Sequence, residues 1–393
     1  MADEQNQEPK ADRRLWLDRY YPLITWVVVT ITTALVSGLL GVQFAPVPPP
    51  VVVEVERRVA VPAMDEFAAQ TPPPGWIADP DEVATVSAAL DVKTFAATPA
   101  GQVDTALPKA VYGWKAYEQL FGRPPPVKNQ GEVGSCVSFG TNTAVERTLG
   151  AEIVRRKGAA TEWARFAEEV TYGGSRVEVG GGRVRGDGSV GAWAAKFVTR
   201  WGMVPRKAYP TADLSEYSQT LCRKWGDQGV PGELEAVARL YPIKSTAQVK
   251  SWAEAKRALA QDYHIAVCST QGFARQRDAN GVAKTQGSWA HCMALDGYHT
   301  DESGKEFGHI TNSWGDRYHV GPVGWGNPNP DGFWAEASVI DRMLRQGDSW
   351  AFSGVTGFPK REPLNWFLFD NKPAARDPFA GLARTNAEAR LAW

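Results

Sequence analysis

Three residues of this chain have the types that combine into a nucleophilic site: Cys136, His291 and Asn312. Cys136 stands in VKNQGEVGSCVSFG (127–140), where glycines let the backbone turn sharply and approach another group closely. Behind it Val145, Leu149 and Ile153 recur every fourth residue, and Lys157-Gly158 makes a stop. The spacing predicts a helix that starts at the cysteine. Unpaired amides and the helix dipole at such an N-terminus favour a thiolate over a thiol. A thiolate nucleophile needs an imidazole or similar partner, a group that orients it, and donors for an oxyanion.

Five histidines are available. His264 opens an apolar strand-like run and reads as structural, His299 sits in a turn, His309 lies inside a strand candidate, and His319 falls in a glycine-rich loop. His291 opens HCMALDGY, a strand candidate followed by a turn and then FGHITNSWG. A hairpin pairing Tyr298 with Lys305, one of several registers the turn allows, sets His291 opposite Asn312. A carboxamide oxygen accepting from one ring nitrogen leaves the other for the thiol. Trp314 would then shield that bond from water.

The elements around these residues follow from composition and periodicity. The chain has 393 residues, 43% of them hydrophobic, room for one large or two smaller domains with a sizeable core. A net charge of -1 without a dense basic run argues against nucleic acid as the main partner. Four scattered cysteines, with no CxxC pair and no His-x3-His spacing, form neither a disulfide scaffold nor a zinc site. Cys222, Cys268 and Cys292 read as structural, with room for one bridge among them in an oxidising compartment. Val190, Trp193, Ala194, Phe197, Val198 and Trp201 have helical spacing and read as a core-facing stripe.

Residues 22–44 read as a transmembrane helix. Leu23 to Phe44 would span about 33 Å at ~1.5 Å per residue, matching a hydrocarbon core of roughly 30 Å. Trp16, Tyr20 and Tyr21 stand at its entrance, and Lys10, Arg13, Arg14 and Arg19 precede it. This bias puts the N-terminal tail (1–21) in the cytoplasm and the rest outside, periplasmic or extracellular. A cleaved signal peptide is the competing reading, but the run is long and no A-x-A site follows. Residues 45–106, rich in Pro and Ala, read as a spacer or a short pro-segment, with a short helix begun by Asp79-Pro80. The piece from 356 to 393 reads as a peripheral tail.

VKNQGEVGSCVSFG, AHCMALDGY and ITNSWG together resemble the three signature blocks of papain-like cysteine proteases, and the likeness extends over residues 107–355. The resemblance implies an α+β, two-lobed papain-like fold, with a helical lobe carrying Cys136 and a β-barrel-like lobe carrying His291 and Asn312. It implies Cys136 as nucleophile, His291 as its imidazole partner, Asn312 as orienting group, and Gln130 with the Cys136 amide as oxyanion donors. Gly188, Ser189 and Val190 would line the substrate cleft beside Trp314. No metal or organic cofactor is implied, and the partner is a protein or peptide substrate. The activity implied is peptide-bond hydrolysis, probed against two alternatives: amide cleavage or acyl transfer on cell-wall peptides, and silent peptide binding.

Three features depart from that pattern. Val133 and Val137 flank Cys136 where many members have Cys and Trp, and Asp187 stands where the partner of that Cys falls. The segment DRYHVGPVG separates NSWG from Trp325-Gly326, near the expected leaving-group side of the cleft. No long charged helix precedes the domain as a pro-domain, which leaves tethering or the Pro-rich stretch as sources of latency.

Overall fold

The computed structural model describes residues 73, 75–90, 93–104, 106–326, 329–354 and 357–364. The apolar run 22–44 lies outside the described residues, and among those described no helix is long and apolar enough to cross a membrane. Along the chain come α1 (Pro80–Ala88), β1 (Ala110–Tyr112), α2 (Lys115–Phe121), α3 (Cys136–Arg155), α4 (Glu168–Gly174), α5 (Gly191–Arg200), α6 (Gln219–Gln228) and α7 (Gly232–Ala238). Then follow β2 (Ser245–Gln248), α8 (Trp252–Ala260), β3 (Ile265–Arg277), β4 (Ala283–Thr300), β5 (Glu306–Thr311), β6 (Gly332–Glu336), α9 (Ala337–Leu344) and β7 (Asp348–Ser353). The architecture is α+β: helices first, then mostly strands.

The strands form one antiparallel sheet in the order β2-β7-β3-β4-β5-β6, with β1 added to β4. This path is open from β2 to β6, so no continuous ladder closes a barrel among the described residues; only an isolated bridge joins Val282 to Trp334. One apolar core packs α3 and α5 with Phe166, Trp225 and Trp350. A second core fills the sheet side, where α8 and α9 contribute Leu259, Ile340 and Leu344 against Ile265, Leu295 and Ile310. The helical stripe of α5 supplies Trp193, Phe197 and Val198 to the first core, each at least 97% buried.

The β4–β5 hairpin forms in another register than the one expected. Tyr298 pairs with Gly308, not Lys305, and Thr300 with Glu306. The reason is the turn: Asp301 Oδ1 accepts from the amides of Ser303 and Lys305, building a longer loop closed at Gly304 (φ 86°). A bulge at Asp296 shifts the register once more between Leu295 and Gly297. Its carboxylate thereby reaches His309 Nδ1 at 2.6 Å, Thr311 Oγ1 at 2.9 Å and Arg147 Nε at 3.1 Å.

Described parts of both flanks fold onto the domain. Asp79 caps α1 by accepting from Glu82 N–H, with Pro80 at the first turn. Phe95, read as part of a spacer, is fully buried against Tyr263 and Phe358. Phe358, from the C-terminal piece expected to be peripheral, is itself buried, and Arg361 pairs with Glu152.

A charged cluster lies inside the helical side. Lys128 Nζ sits 2.8 Å from both Glu146 and Glu168, and Arg206 pairs with Glu168 and with Glu169 at 2.9 Å. Burial raises the Glu168 carboxyl, but Lys128 and Arg206 outweigh it and hold it at about 2, below its ordinary 4.5. A carboxyl depressed in this way stabilises the fold above its ordinary value. That contribution is lost as pH falls from about 4.5 to about 2. Glu168→Gln therefore should cost about 3–5 kcal/mol at neutral pH, since it strands buried cations. Urea unfolding should show the deficit shrinking as pH is lowered through that window. A constant deficit would dismiss the ionic explanation.

Candidate active site

The site starts with the loop that precedes α3. Gly131 takes a left-handed turn (φ 59°) with its amide on Asn129 Oδ1. Gln130 is fully buried between two segments: its N–H donates to the Ser313 carbonyl and its Oε1 accepts from Ser313 Oγ at 2.7 Å. Its Nε2 donates to Val133 O at 2.9 Å, which ties the side chain to the loop just before Cys136. Gly315 N–H donates to Lys128 O, and Asn129 bridges to Trp314. The loop is thus stitched to the segment that carries Asn312.

Cys136 opens α3, and no side chain caps that end. Strand β4 meets it there: the Cys292 amide donates to Cys136 Sγ at 3.4 Å. His291, one residue earlier on β4, lies with Nε2 2.8 Å from Asn312 Oδ1, while its Nδ1 has no hydrogen bond. Asn312 reaches His291 from just beyond the end of β5, its own amide on the Asp331 carbonyl. Ser313 N–H donates to Asn312 Oδ1 at 2.7 Å, so the oxygen end of the carboxamide faces His291 and Nε2 carries the proton. Trp314 stacks on the imidazole with ring centres 4.2 Å apart and is backed by Trp289 at 4.6 Å.

Cys292 itself points away and joins Cys268, directly opposite on β3, in a disulfide. This is the bridge that spacing alone left open among three cysteines; Cys222 is free and buried.

Residues 187–190 form a wall beside the Cys136 loop. Gly188 takes φ 113°, its amide on the Tyr172 hydroxyl and its carbonyl on Arg176 Nη1. Asp187 Oδ2 accepts from Gly134 N–H at 3.0 Å. A carboxylate–amide bond thus ties the wall to the loop before Cys136, where the resemblance would lead one to look for a disulfide. Ser189 and Val190 are fully buried, and Val190 leads into α5.

Against this wall lies the 75–77 segment, part of the stretch whose composition reads as a spacer. Ser189 N–H donates to Gly75 O and Ile77 N–H to Ser189 O, both at 2.9 Å, in a parallel bridge centred on Trp76. On the opposite wall the amides of Gly75 and Trp76 donate to Ala290 O, next to His291. The Trp76 indole is buried and donates at 2.8 Å to Asp348, whose carboxylate also takes Gly191 N–H and the Trp350 indole. Gly75 lies over the sulfur: a β-carbon there would stand 2.9 Å from Cys136 Sγ and 2.3 Å from Gly134 O. Neither pattern nor charge in TPPPGWIADP signals this; the one cue is a glycine beside a large aromatic.

Enclosure decides the protonation states. Burial pushes the Cys136 thiol up to about 12, outweighing the amides of Cys292, Val137, Gly75 and Cys136 itself, which favour the thiolate. The thiolate expected at a helix N-terminus is therefore not the form held here, because desolvation exceeds the dipole effect. Burial likewise lowers His291 to about 4, against the Asn312 hydrogen bond that favours its charged form. Thiol and imidazole are both neutral under the segment that covers them.

The structure thus brings together Gln130, Cys136, His291, Asn312 and Trp314, with Gly188, Ser189 and Val190 along the adjoining wall. Sequence reasoning missed Gly75, Trp76 and Asp348. It also set aside His319, which is buried with Nε2 3.3 Å from Asn312 Nδ2. Among the described residues no group of His, Cys, Asp and Glu could hold a metal ion.

The sequence matches no protein-family model and no curated protein. Among solved structures the chain is similar to xylellain, a cysteine protease from Xylella fastidiosa, with 20% identity and a TM-score of 0.49, over 72% of this chain and 96% of that one. It is similar to digestive procathepsin L 3 of Tenebrio molitor larval midgut, at 17% identity and a TM-score of 0.41, over 74% and 86%. Bromelain from Ananas comosus, in complex with the E64 inhibitor, aligns at 17% identity and a TM-score of 0.38, over 63% and 99%.

Gly75→Ala tests the cover directly. The overlap should cost about 1–3 kcal/mol in the closed arrangement, or roughly tenfold per 1.4 kcal/mol in the population of opened molecules. Alkylation of Cys136 at neutral pH should therefore accelerate about 5- to 140-fold, and its pH midpoint should drop well below the closed value of about 12. Unchanged labelling in a folded Gly75→Ala protein would mean that the segment does not control access.

Proposed function

We infer that the chain is a papain-like cysteine peptidase, anchored in a membrane through residues 22–44 and held latent by residues 75–77. One observation carries the reading. Cys292 N–H touches Cys136 Sγ while the adjacent His291 turns Nε2 to Asn312 and leaves Nδ1 unbonded, which sets an oriented imidazole beside an uncapped helix N-terminus that bears a thiol.

With the cover displaced, water returns to the cleft and the cost of charge separation falls. The Cys136 proton moves to His291 Nδ1, and the Asn312 oxygen stabilises the imidazolium through Nε2–H. Sγ attacks the substrate carbonyl, and the oxyanion is held by the Cys136 N–H and by the second hydrogen of Gln130 Nε2. The imidazolium protonates the leaving amine as the C–N bond breaks and a thioester remains. His291 then takes a proton from water, hydroxide adds to the thioester, and the acid leaves with Cys136 restored. Substrate main chain would pair with Ser189 and Ala290, the edges that residues 75–77 now occupy.

The Cys268–Cys292 disulfide suits an oxidising compartment and supports an extracytoplasmic domain, periplasmic or extracellular.

A peptidyl epoxide, applied after opening the cover, should modify Cys136 and no other residue, as located by mass spectrometry. Cys136→Ala should abolish casein hydrolysis, and His291→Ala should abolish labelling at neutral pH. Hydrolysis that survives Cys136→Ala would overturn the reading. Turnover of peptidoglycan peptides with none of casein would replace it with amide cleavage on cell-wall material.

A further inference from the structure

The insertion DRYHVGPVG, which separates NSWG from Trp325-Gly326, is held in place. Val320 exchanges backbone bonds with Arg275 and Arg277 at 2.9 Å each, in a parallel bridge onto β3. Arg277 donates through Nη1 to the carbonyls of Gly332 at 2.6 Å and Pro330 at 3.1 Å, and through Nη2 to that of Gly321 at 2.8 Å. Arg275 Nε donates to Tyr318 O at 2.9 Å. These bonds deliver one side chain to the interior. His319 is 98% buried, its ring packed on Phe333 of β6 at 4.5 Å, with Nε2 3.3 Å from Asn312 Nδ2.

An Asn nitrogen can only donate, so this contact is a hydrogen bond only if His319 Nε2 is an unprotonated acceptor. Oxygen and nitrogen of a carboxamide have nearly the same shape, and a half-turn about the last torsion exchanges them. A turned Asn312 would aim N–H at His291, which could accept it only through Nε2, with the ring proton moved to Nδ1. That tautomer faces the thiol with a donor where a base is required. Ser313 N–H holds the oxygen end from one side; His319 holds the nitrogen end from the other.

We propose that neutral His319 is a positioning residue for the Cys136–His291 site: it accepts from Asn312 Nδ2 and so fixes the oxygen of that carboxamide on His291. The inference rests on the peptidase reading for its kinetic consequences, but the contact itself does not. The groups facing the ring favour the neutral form. Burial lowers its pKa to about 3, with Arg277 and Arg275 of β3 and His291 of β4 acting in the same direction, and only the Arg275 carbonyl favouring a proton. Burial thus keeps the ring neutral through the range in which a thiol–imidazole pair would operate, and of its two neutral tautomers the one with the proton on Nδ1 presents Nε2 as the acceptor for Asn312 Nδ2.

The test compares His319→Leu, which keeps apolar bulk but cannot accept, with His319→Gln, whose Oε1 can, in the full chain carrying Gly75→Ala to open the cleft. His319→Leu should lower kcat about 10–100-fold, the range for loss of orientation at a reacting group, with KM changed less than about twofold. It should also move the low-pH limb of Cys136 alkylation by iodoacetamide upward. His319→Gln should restore kcat to within a few-fold, along with the pH profile. A Leu variant with the parental kcat and pH profile would overturn the proposal, as would equal losses in Leu and Gln that follow a lowered Tm. Histidine 15N shifts give a reading independent of turnover: His319 should show a bare Nε2 and His291 a protonated one at neutral pH. If the chain neither hydrolyses nor labels while these shifts hold, the peptidase reading fails and the Asn312 clamp stands. A protonated His319 Nε2 fails the clamp alone.

Discussion

The rotation of helix α3 about its own axis is the constraint on which the site depends. Glu146 and Arg147, neighbours in sequence and about 100° apart around a helix, are drawn to opposite sides. Glu146 takes Lys128 at 2.8 Å and the Phe166 amide at 2.9 Å on the helical side. Arg147 takes Asp296 on β4. Burying these charges is a poor source of stability, but it specifies geometry, because any other rotation would leave one of them unpaired. The same helix begins at Cys136, so two ion pairs a few turns away aim the sulfur. Asp296 can accept Arg147 and His309 together because a bulge turns it inward, and that bulge lies on the strand that carries His291. The two chemical groups are thus aligned by one shared carboxylate and one helix axis.

Around the sulfur, two effects oppose each other. The uncapped start of α3 and the Cys292 amide favour negative charge, while complete burial beneath Gly75 disfavours it, and burial prevails. Burial, to which the cover contributes, outweighs the donors around the sulfur. A site of this kind can be assembled and still hold both groups neutral, because burial disfavours their charged forms. Trp76 and Asp348 secure the cover by placing an indole donor on a buried carboxylate that also meets the start of α5. The closed arrangement therefore draws on the backbone of Ser189 on one side and Ala290 on the other.

Much of this was legible in the sequence where short segments carry their own signals. The start of α3 followed from its glycines and its four-residue spacing, α5 from the stripe ending at Trp201, and α1 from Asp79-Pro80. The meeting of His291 with Asn312 was legible too, though by the wrong path. The hairpin was expected to set them opposite each other, whereas the Asp301 loop and the Asp296 bulge shift the register. They meet because Asn312, just past the end of β5 and held by the Asp331 carbonyl, reaches across to His291. Register depends on a turn's hydrogen bonds, which residue types indicate only loosely. The burial of Phe95 and Trp76 was not legible at all, since a Pro- and Ala-rich stretch without periodicity reads as a spacer, whatever surface it later covers.

His319 shows the same boundary from another side. As a residue in a glycine-rich insertion it has no local pattern, and the length of the insertion suggested interference with substrate rather than support for the site. What gives it a role is a set of long-range bonds: Arg277 gathering four carbonyls, His319 O among them at 3.5 Å, and Val320 pairing with β3. Asn312 alone has one backbone donor to fix its oxygen. Adding an acceptor at its nitrogen makes both ends of the carboxamide distinct, so that a half-turn costs two hydrogen bonds instead of one. The insertion therefore belongs with the machinery that selects a single imidazole tautomer, through the one buried ring it places against Asn312.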